Sequence, residues 1–293
     1  MTDFPAIKTV GFIGLGIMGR SMAGHIQAGG YQLHVHNRSR AKADDLVAKG
    51  AVWHDKPSEI ASVCDVVITI VGFPQDVENI YLAPDGLVAQ AKPGTVLIDM
   101  TTSSPSLAQR IAAAGAAKGV AVLDAPVSGG DVGARNAKLS IMVGGDAAAV
   151  EHVRPVLTRM GENVVRQGEA GAGQHTKMAN QITIASNMMA VCESLAYAKQ
   201  AGLDPRQVLK SIGAGAAASF ALNNLGPRML DGDFAPGFYV RHFIKDMGIA
   251  LAEAERMKLA LPGLTQAKAL YDKLAAAGHE DEGTQALFRL YAA

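Results

Sequence analysis

Short apolar runs recur through the first half of the chain, each followed by a stretch of helical composition. "KTVGFIG" (8–14), "DVVITIVG" (65–72) and "GTVLIDM" (94–100) are apolar on consecutive positions and partly β-branched, the pattern of strands buried on both faces. "YQLHVHN" (31–37) alternates and predicts a further strand. Between them "IMGRSMAGHIQAG" (17–29) predicts a helix ending at Gly29-Gly30, and "SRAKADDLVAKG" (39–50) a polar helix stopped by Gly50. "SPSLAQRIAAAGAAKG" (104–119) predicts a helix with a serine or proline start. "VAVLDAPVSGG" (120–130) reads as a strand running into a glycine turn, and "KLSIMVGG" (138–145) as one more strand. Strands separated by single helices imply a doubly wound, mostly parallel α/β sheet with helices on both faces.

Past about residue 168 the pattern changes. "GEAGAGQ" (168–174) is a glycine-rich break, and "HTKMANQITIASNMMAVCESLAYAKQAG" (175–202) continues without proline or internal glycine until its last residue. At about 1.5 Å per residue, one helix of that length could span the whole molecule. The remainder of the chain is helical in composition, broken at "GPRMLDGDFAPG" (226–237) and "LPG" (261–263). The reading is a dinucleotide-binding α/β domain over 1–168 and an all-helical substrate and oligomerisation domain over 169–293, opened by a long interdomain helix.

Composition narrows the function. Of 293 residues, 49% are hydrophobic, and 27 basic residues balance 27 acidic ones. That neutrality gives no support for nucleic acid or an anionic membrane as partner. Cys64 and Cys192 sit among apolar neighbours and read as small buried hydrophobes. The eight histidines show no metal-binding spacing. "MTDFPAIK" (1–8) lacks a basic segment leading into an apolar run, so no signal peptide is expected. No uncharged apolar run reaches the roughly 18 residues of a membrane span. A cytoplasmic protein is the expectation.

Candidate chemistry begins at Gly14-Leu15-Gly16-Ile17-Met18-Gly19, which follows a predicted strand and opens a predicted helix. That context distinguishes a dinucleotide-binding turn from a chance glycine pattern. Gly14 permits the tight turn, Gly16 lets the backbone approach a pyrophosphate, and Gly19 lets helix and strand pack closely. The helix N-terminus presents N–H groups to the anion. The next strand ends about 20 residues later, where the adenine ribose belongs. There the chain reads Asn37-Arg38-Ser39, without the acidic side chain that would bond a ribose 2′-hydroxyl. Arginine pairs with a 2′-phosphate, so Arg38 and Ser39 point to NADP(H) in preference to NAD(H). Val71, Phe73 and Pro74 in "VGFP" (71–74), and the segment "DMTTS" (99–103), occupy other strand ends where cofactors bind in open α/β sheets.

On the substrate side, Ser128, Gly129 and Gly130 of "DAPVSGG" (124–130) offer a hydroxyl and backbone N–H groups suited to a carboxylate. Read alone, the segment fits a plain turn equally well. In "GAGQHTKMANQ" (171–181), Lys177, Asn180 and Gln181 stand at i, i+3 and i+4 and share one helix face. A lysine beside two amides can donate to a carbonyl oxygen while the amides orient substrate or lysine. Lys245-Asp246 in "HFIKDMGIAL" (242–251) reads as a helix-start aspartate with a nearby surface charge. Glu193 lies sixteen residues after Lys177, roughly 160° round a helix, and is left out of the site.

Four motifs in order, "GFIGLGIMG", "DAPVSGG", "GQHTKMANQ" and "KDMGIAL", resemble the β-hydroxyacid dehydrogenases, including 3-hydroxyisobutyrate dehydrogenase and tartronate semialdehyde (2-hydroxy-3-oxopropionate) reductase. The resemblance covers essentially the whole chain. It implies a Rossmann-type domain, a helical domain and a homodimer or homotetramer. It also implies Lys177 as catalytic lysine with Asn180 beside it in substrate binding, Ser128, Gly129 and Gly130 on the substrate carboxylate, and Thr102 and Lys245 on the cofactor. "DAPVSGGDVGARNAKLSIMVGG" with "KMANQ" is most similar to the tartronate semialdehyde reductase branch, whereas Asn37-Arg38 resembles NADP-preferring members that include the glyoxylate and succinic semialdehyde reductases. Gln181 varies between branches. Ala179 stands where the 6-phosphogluconate dehydrogenases have histidine, and the related imine reductases generally lack lysine at position 177. The expected substrate is a small carboxylate-bearing aldehyde or hydroxyacid. A non-catalytic NADP(H)-sensing module is the reading from a different class.

Overall fold

A computed structural model describes residues 4–291. By packing, the chain forms two compact units, Met1–Lys177 and Met178–Ala293.

In the first unit β1 (Thr9–Ile13) leads through α1 (Gly19–Ala28) to β2 (Gln32–His36), α2 (Asp44–Ala48), β3 (Val52–Trp53) and α3 (Pro57–Ala61). Next come β4 (Val66–Thr69), α4 (Pro74–Leu82), α5 (Leu87–Gln90), β5 (Val96–Asp99), α6 (Pro105–Ala116) and β6 (Ala121–Asp124). The unit continues through β7 (Val127–Ser128), α7 (Gly130–Arg135), β8 (Ser140–Gly144), α8 (Ala147–Leu157) and β9 (Asn163–Gly168), and takes in the start of α9 (Ala172–Gln200). Six strands pair in parallel in the order β3-β2-β1-β4-β5-β6. The order reverses between β1 and β4, which makes the carboxyl end of that pair the switch point where ligands bind in such sheets.

Both faces of the sheet are buried, and successive side chains divide between them. Val10, Phe12, Ile68, Val96 and Ile98 join the core under α1 and α8. Ile13, Val67 and Leu97 join the opposite core with Tyr81 and Leu107. This two-sided burial explains why these strands are apolar at consecutive positions rather than alternating.

Three details differ from the sequence pattern. β8 pairs antiparallel with β6 and β7. Pro126 bridges β6 to β7, and the short α7 turns the chain back along the same line. The expected helix over 39–50 is a 3₁₀ turn (Arg40–Ala43) followed by the short α2, because that polar stretch buries only Ala43 and Leu46. β3 and β9 escape the pattern: two residues show no alternation, and "NVVRQG" is polar at half its positions.

The second unit is helical. After α9 come α10 (Pro205–Ile212), a π-helical turn (Ala221–Leu225), α11 (Gly226–Leu230), α12 (Val240–Arg256), α13 (Pro262–Ala276) and a 3₁₀ turn (Thr284–Leu290). Met188, Cys192, Leu195, Phe243, Met247, Tyr271 and Leu287 build its core. The Tyr271 hydroxyl donates to the Thr284 carbonyl at 2.7 Å, so its buried polar tip is satisfied. The expected break at 226–237 falls later, because Gly226–Leu230 still forms a helix. Cys64 and Cys192 are both buried thiols. Among the described residues no helix is long and apolar enough to cross a membrane.

Candidate active site

The three glycines of the first turn meet different surroundings. Gly14 has φ +101°, and a Cβ there would lie 2.1 Å from the carbonyl oxygen of Ile70, just past β4. A Cβ on Gly19 would lie 2.0 Å from the carbonyl oxygen of Gly14. Around Gly16, beyond its two chain neighbours, no atom comes within 4 Å of where a Cβ would stand. Two glycines therefore let backbone pack on backbone, while the middle one opens onto space. No side chain caps α1 and its first turn carries no acid, so the positive end of the helix dipole is unopposed there. The cradle fits a pyrophosphate. Leu15 contributes only backbone to this turn, its side chain lying in the core, while Ile17 is exposed and Met18 partly buried.

Asn37, at the end of β2, holds the turn from behind. Its Oδ1 accepts the Leu15 N–H at 2.9 Å, and its Nδ2 donates to the Ser39 carbonyl at 2.9 Å. Arg38 and Ser39 are exposed.

The loops after β4 and β5 are tied together. Thr101 Oγ1 accepts the Val71 N–H at 2.9 Å. Asp99 accepts from Thr69 Oγ1 at 2.9 Å and from the Thr101 N–H at 3.0 Å, and Thr69 also meets the Tyr81 hydroxyl at 2.9 Å. Burial pushes the Asp99 carboxyl up to about 6, against the hydrogen bonds from Thr101 and Thr69, with the neighbouring Asp124 adding to the rise. Phe73 is exposed at the head of α4, its N–H donating to Asp76, and Pro74 opens that helix. Thr102 is half-buried.

Asp124, paired across the sheet with Asp99, anchors α9. Its carboxylate accepts the N–H groups of Gly171 at 2.7 Å and Gln174 at 2.8 Å. Burial still raises its titration. Contact is close enough that a Cβ on Gly173 would lie 2.4 Å from the Met142 carbonyl oxygen. The Gln174 side chain then clasps the loop after β5, donating to the Thr101 carbonyl at 2.8 Å and accepting the Ser103 N–H at 2.9 Å. One turn further on, the Lys177 ammonium, 7% exposed, donates to the Val127 carbonyl at 2.8 Å. Ser128 comes directly after, and Gly129 (φ +127°) and Gly130 (φ +62°) turn the chain into α7 in conformations that a side chain would strain.

Within the second unit, Asn180 Nδ2 donates to Gln181 Oε1 at 2.7 Å, and Gln181 Nε2 donates to Asp246 Oδ2 at 2.7 Å. Lys245 pairs with the other Asp246 oxygen at 2.9 Å. A carboxylate only accepts, so it fixes the Gln181 amide, which in turn makes Asn180 the donor. Asp246 is 1% exposed in the body of α12, not a helix-start surface charge as its sequence context suggests. Burial, then Lys245 and Arg241, lower His242 to about 4. Among the described residues no group of three or more His, Cys, Asp or Glu could hold a metal ion.

Asp99, Asp124 and Gln174 were not singled out by sequence, and Asp246 was read there only as a helix-start charge. An acid closing an apolar strand, as both Asp99 and Asp124 do, was the available signal.

A 3-2-1-4-5-6 sheet with this glycine turn at its switch point defines a Rossmann-type dinucleotide-binding domain. Residues 9–168 match the NAD binding domain of 6-phosphogluconate dehydrogenase, and residues 171–291 match the NAD-binding domain of NADP-dependent 3-hydroxyisobutyrate dehydrogenase. The chain is 56% identical to "Uncharacterized oxidoreductase YkwC" of Bacillus subtilis, over 97% of this chain and 99% of that one. It is 39% identical to 2-hydroxy-3-oxopropionate reductase of Escherichia coli, over 92% of each chain. The solved 3-hydroxyisobutyrate dehydrogenase of Mycobacterium tuberculosis superposes with a TM-score of 0.88 at 31% identity, covering 98% of this chain and 100% of the other. The chain belongs to the β-hydroxyacid dehydrogenase family, and it is a dehydrogenase acting on the hydroxyl group of a small hydroxyacid.

Proposed function

We propose that this enzyme interconverts a small 3-hydroxy acid and its semialdehyde with NADP(H), and that 2-hydroxy-3-oxopropionate is its aldehyde substrate. The observation that carries the reading is the buried Lys177 ammonium, held 2.8 Å from the Val127 carbonyl and so beside residues 128–130. When bound, the coenzyme supplies or accepts the hydride. Ser128 and the N–H groups of Gly129 and Gly130 hold the substrate carboxylate. Lys177 delivers a proton to the aldehyde oxygen on reduction and withdraws it on oxidation. Asn180 and Gln181, their amides set by Asp246, orient the substrate. Gly14, Gly16 and Gly19, with the backbone of Leu15, Ile17 and Met18, cradle the pyrophosphate. Asn37, Arg38 and Ser39 face the adenine ribose. Val71, Phe73, Pro74, Thr102 and Lys245 complete the coenzyme contacts.

Preference for NADP(H) is supported by the absence of an acid in Asn37-Arg38-Ser39 and by the match of residues 171–291 to an NADP-dependent family. Exposed Tyr197, Leu203 and Phe220 on the helical unit support a homodimer or homotetramer. A panel of 2-hydroxy-3-oxopropionate, methylmalonate semialdehyde, glyoxylate and succinic semialdehyde, monitored at 340 nm with NADPH and NADH, ranks the substrates. Lys177→Ala should lower kcat by roughly 10²–10⁴-fold while coenzyme binding persists. Retained turnover in that variant would refute the assignment. Coenzyme binding without turnover of any hydroxyacid or aldehyde would leave a nucleotide sensor.

A further inference from the structure

Beside the end of β2 lies a stack of side chains that the proposed function does not use. The His36 imidazole packs on the Trp53 indole with ring centres 5.7 Å apart and planes inclined by 27°. The Arg40 guanidinium carbon stands over the same indole, 5.5 Å from its centre. Both rings are pinned. The indole N–H donates to Asp55 Oδ1 at 2.8 Å, and His36 Nδ1 donates to the His54 carbonyl at 3.0 Å. Arg40 is exposed and opens the 3₁₀ turn two residues after Arg38.

Three acids of this region are engaged elsewhere. Arg20 holds Asp45 at 2.9 Å, the indole holds Asp55, and Glu59 accepts the N–H groups of Asp55 and Lys56. An arginine resting on an aromatic face keeps its fork of donors while giving up side-chain freedom in advance. A phosphate monoester carries three terminal oxygens, more than one guanidinium fork can engage. A ribose hydroxyl makes no such demand.

We propose that Arg40 is a second reader of the coenzyme's 2′-phosphate beside Arg38, and that Trp53 holds it ready. The inference rests on the proposed preference for NADP(H). Calorimetric titration of NADP+ and NAD+ into wild type, Arg38→Ala, Arg40→Ala and Trp53→Leu tests it without turnover. Arg40→Ala should weaken NADP+ binding roughly 10- to 100-fold and NAD+ less than about 2-fold. Arg40→Lys should restore only part of the loss, because a point charge replaces a fork. Trp53→Leu should weaken NADP+ binding by about 3-fold through lost pre-ordering. Trp53 is the chain's one tryptophan, so its emission should respond to 2′,5′-ADP and not to 5′-AMP. An Arg40→Ala enzyme that binds NADP+ like wild type, or loses both coenzymes equally, overturns the inference. If Arg38→Ala loses NADP+ and Arg40→Ala does not, the NADP(H) preference stands and the second reader is removed. Tighter binding of NAD+ than of NADP+ by wild type would instead sink the preference itself.

Discussion

Replacing Gly16 with alanine separates the folding role of the glycine turn from its binding role. Nothing beyond its two chain neighbours lies within 4 Å of the new Cβ, and the backbone at Gly16 is not in the left-handed region. The variant should therefore fold without strain. Removing glycine's freedom in the unfolded chain should add about 0.4–1 kcal/mol, a rise of about 1–3 °C in Tm. The new methyl projects into the space that the pyrophosphate is read to occupy. Losing one charge-assisted hydrogen bond costs roughly 1.5–3 kcal/mol, which weakens NADP+ binding about 10- to 150-fold. Gly19→Ala is the contrast, since its Cβ would lie 2.0 Å from the Gly14 carbonyl oxygen and must displace backbone. Scanning calorimetry without ligand gives the first quantity, and titration of NADP+ gives the second. A Gly16→Ala protein that is as destabilised as Gly19→Ala, or that binds NADP+ unchanged, would refute this division of labour.

The buried acids give two further outcomes. Asp99 titrates at about 6 instead of 3.8, so the native chain holds a proton that the unfolded chain releases in that window. Stability contributed by the neutral acid is complete below about pH 4 and lost as pH rises to about 6, a change of roughly 3 kcal/mol. Asp99→Asn keeps an acceptor without the charge, so its Tm should exceed that of wild type at pH 7.5 by more than at pH 4.5; parallel pH profiles would count against this. Asp124→Ala leaves the amides of Gly171 and Gln174 without their acceptor, at roughly 1–3 kcal/mol each, and should speed hydrogen exchange at both. Unchanged exchange there would remove Asp124 as the anchor of α9.

Much of the fold was legible because local chemistry sets it. The strands around the glycine turn are buried on both faces and so read as unbroken apolar runs. The 29 residues of α9 lack internal breakers apart from Gly173 in its first turn. β8 was legible as a strand but not in direction, since pairing partners are chosen by the path through Pro126 and α7. Within the candidate site, the glycines and the spacing of Lys177, Asn180 and Gln181 announce themselves in sequence. Asp99, Asp124, Gln174 and Asp246 do not, because each acts on groups far along the chain. Gln174 meets Ser103 across 71 positions, and Asp246 meets Gln181 across 65.

The double grip of Asn37 bears on any attempt to redesign coenzyme choice. The usual exchange for turning such an enzyme toward the unphosphorylated dinucleotide installs an acid at the strand end. An aspartate at 37 could still receive the amide of Leu15, but its second oxygen would face the Ser39 carbonyl, where Nδ2 now donates at 2.9 Å. Two acceptors would confront each other, and the recoil would reach the phosphate turn through the same side chain. On the proposed preference for NADP(H), a change of coenzyme therefore calls for leaving Asn37 intact and working on the exposed arginines beyond it.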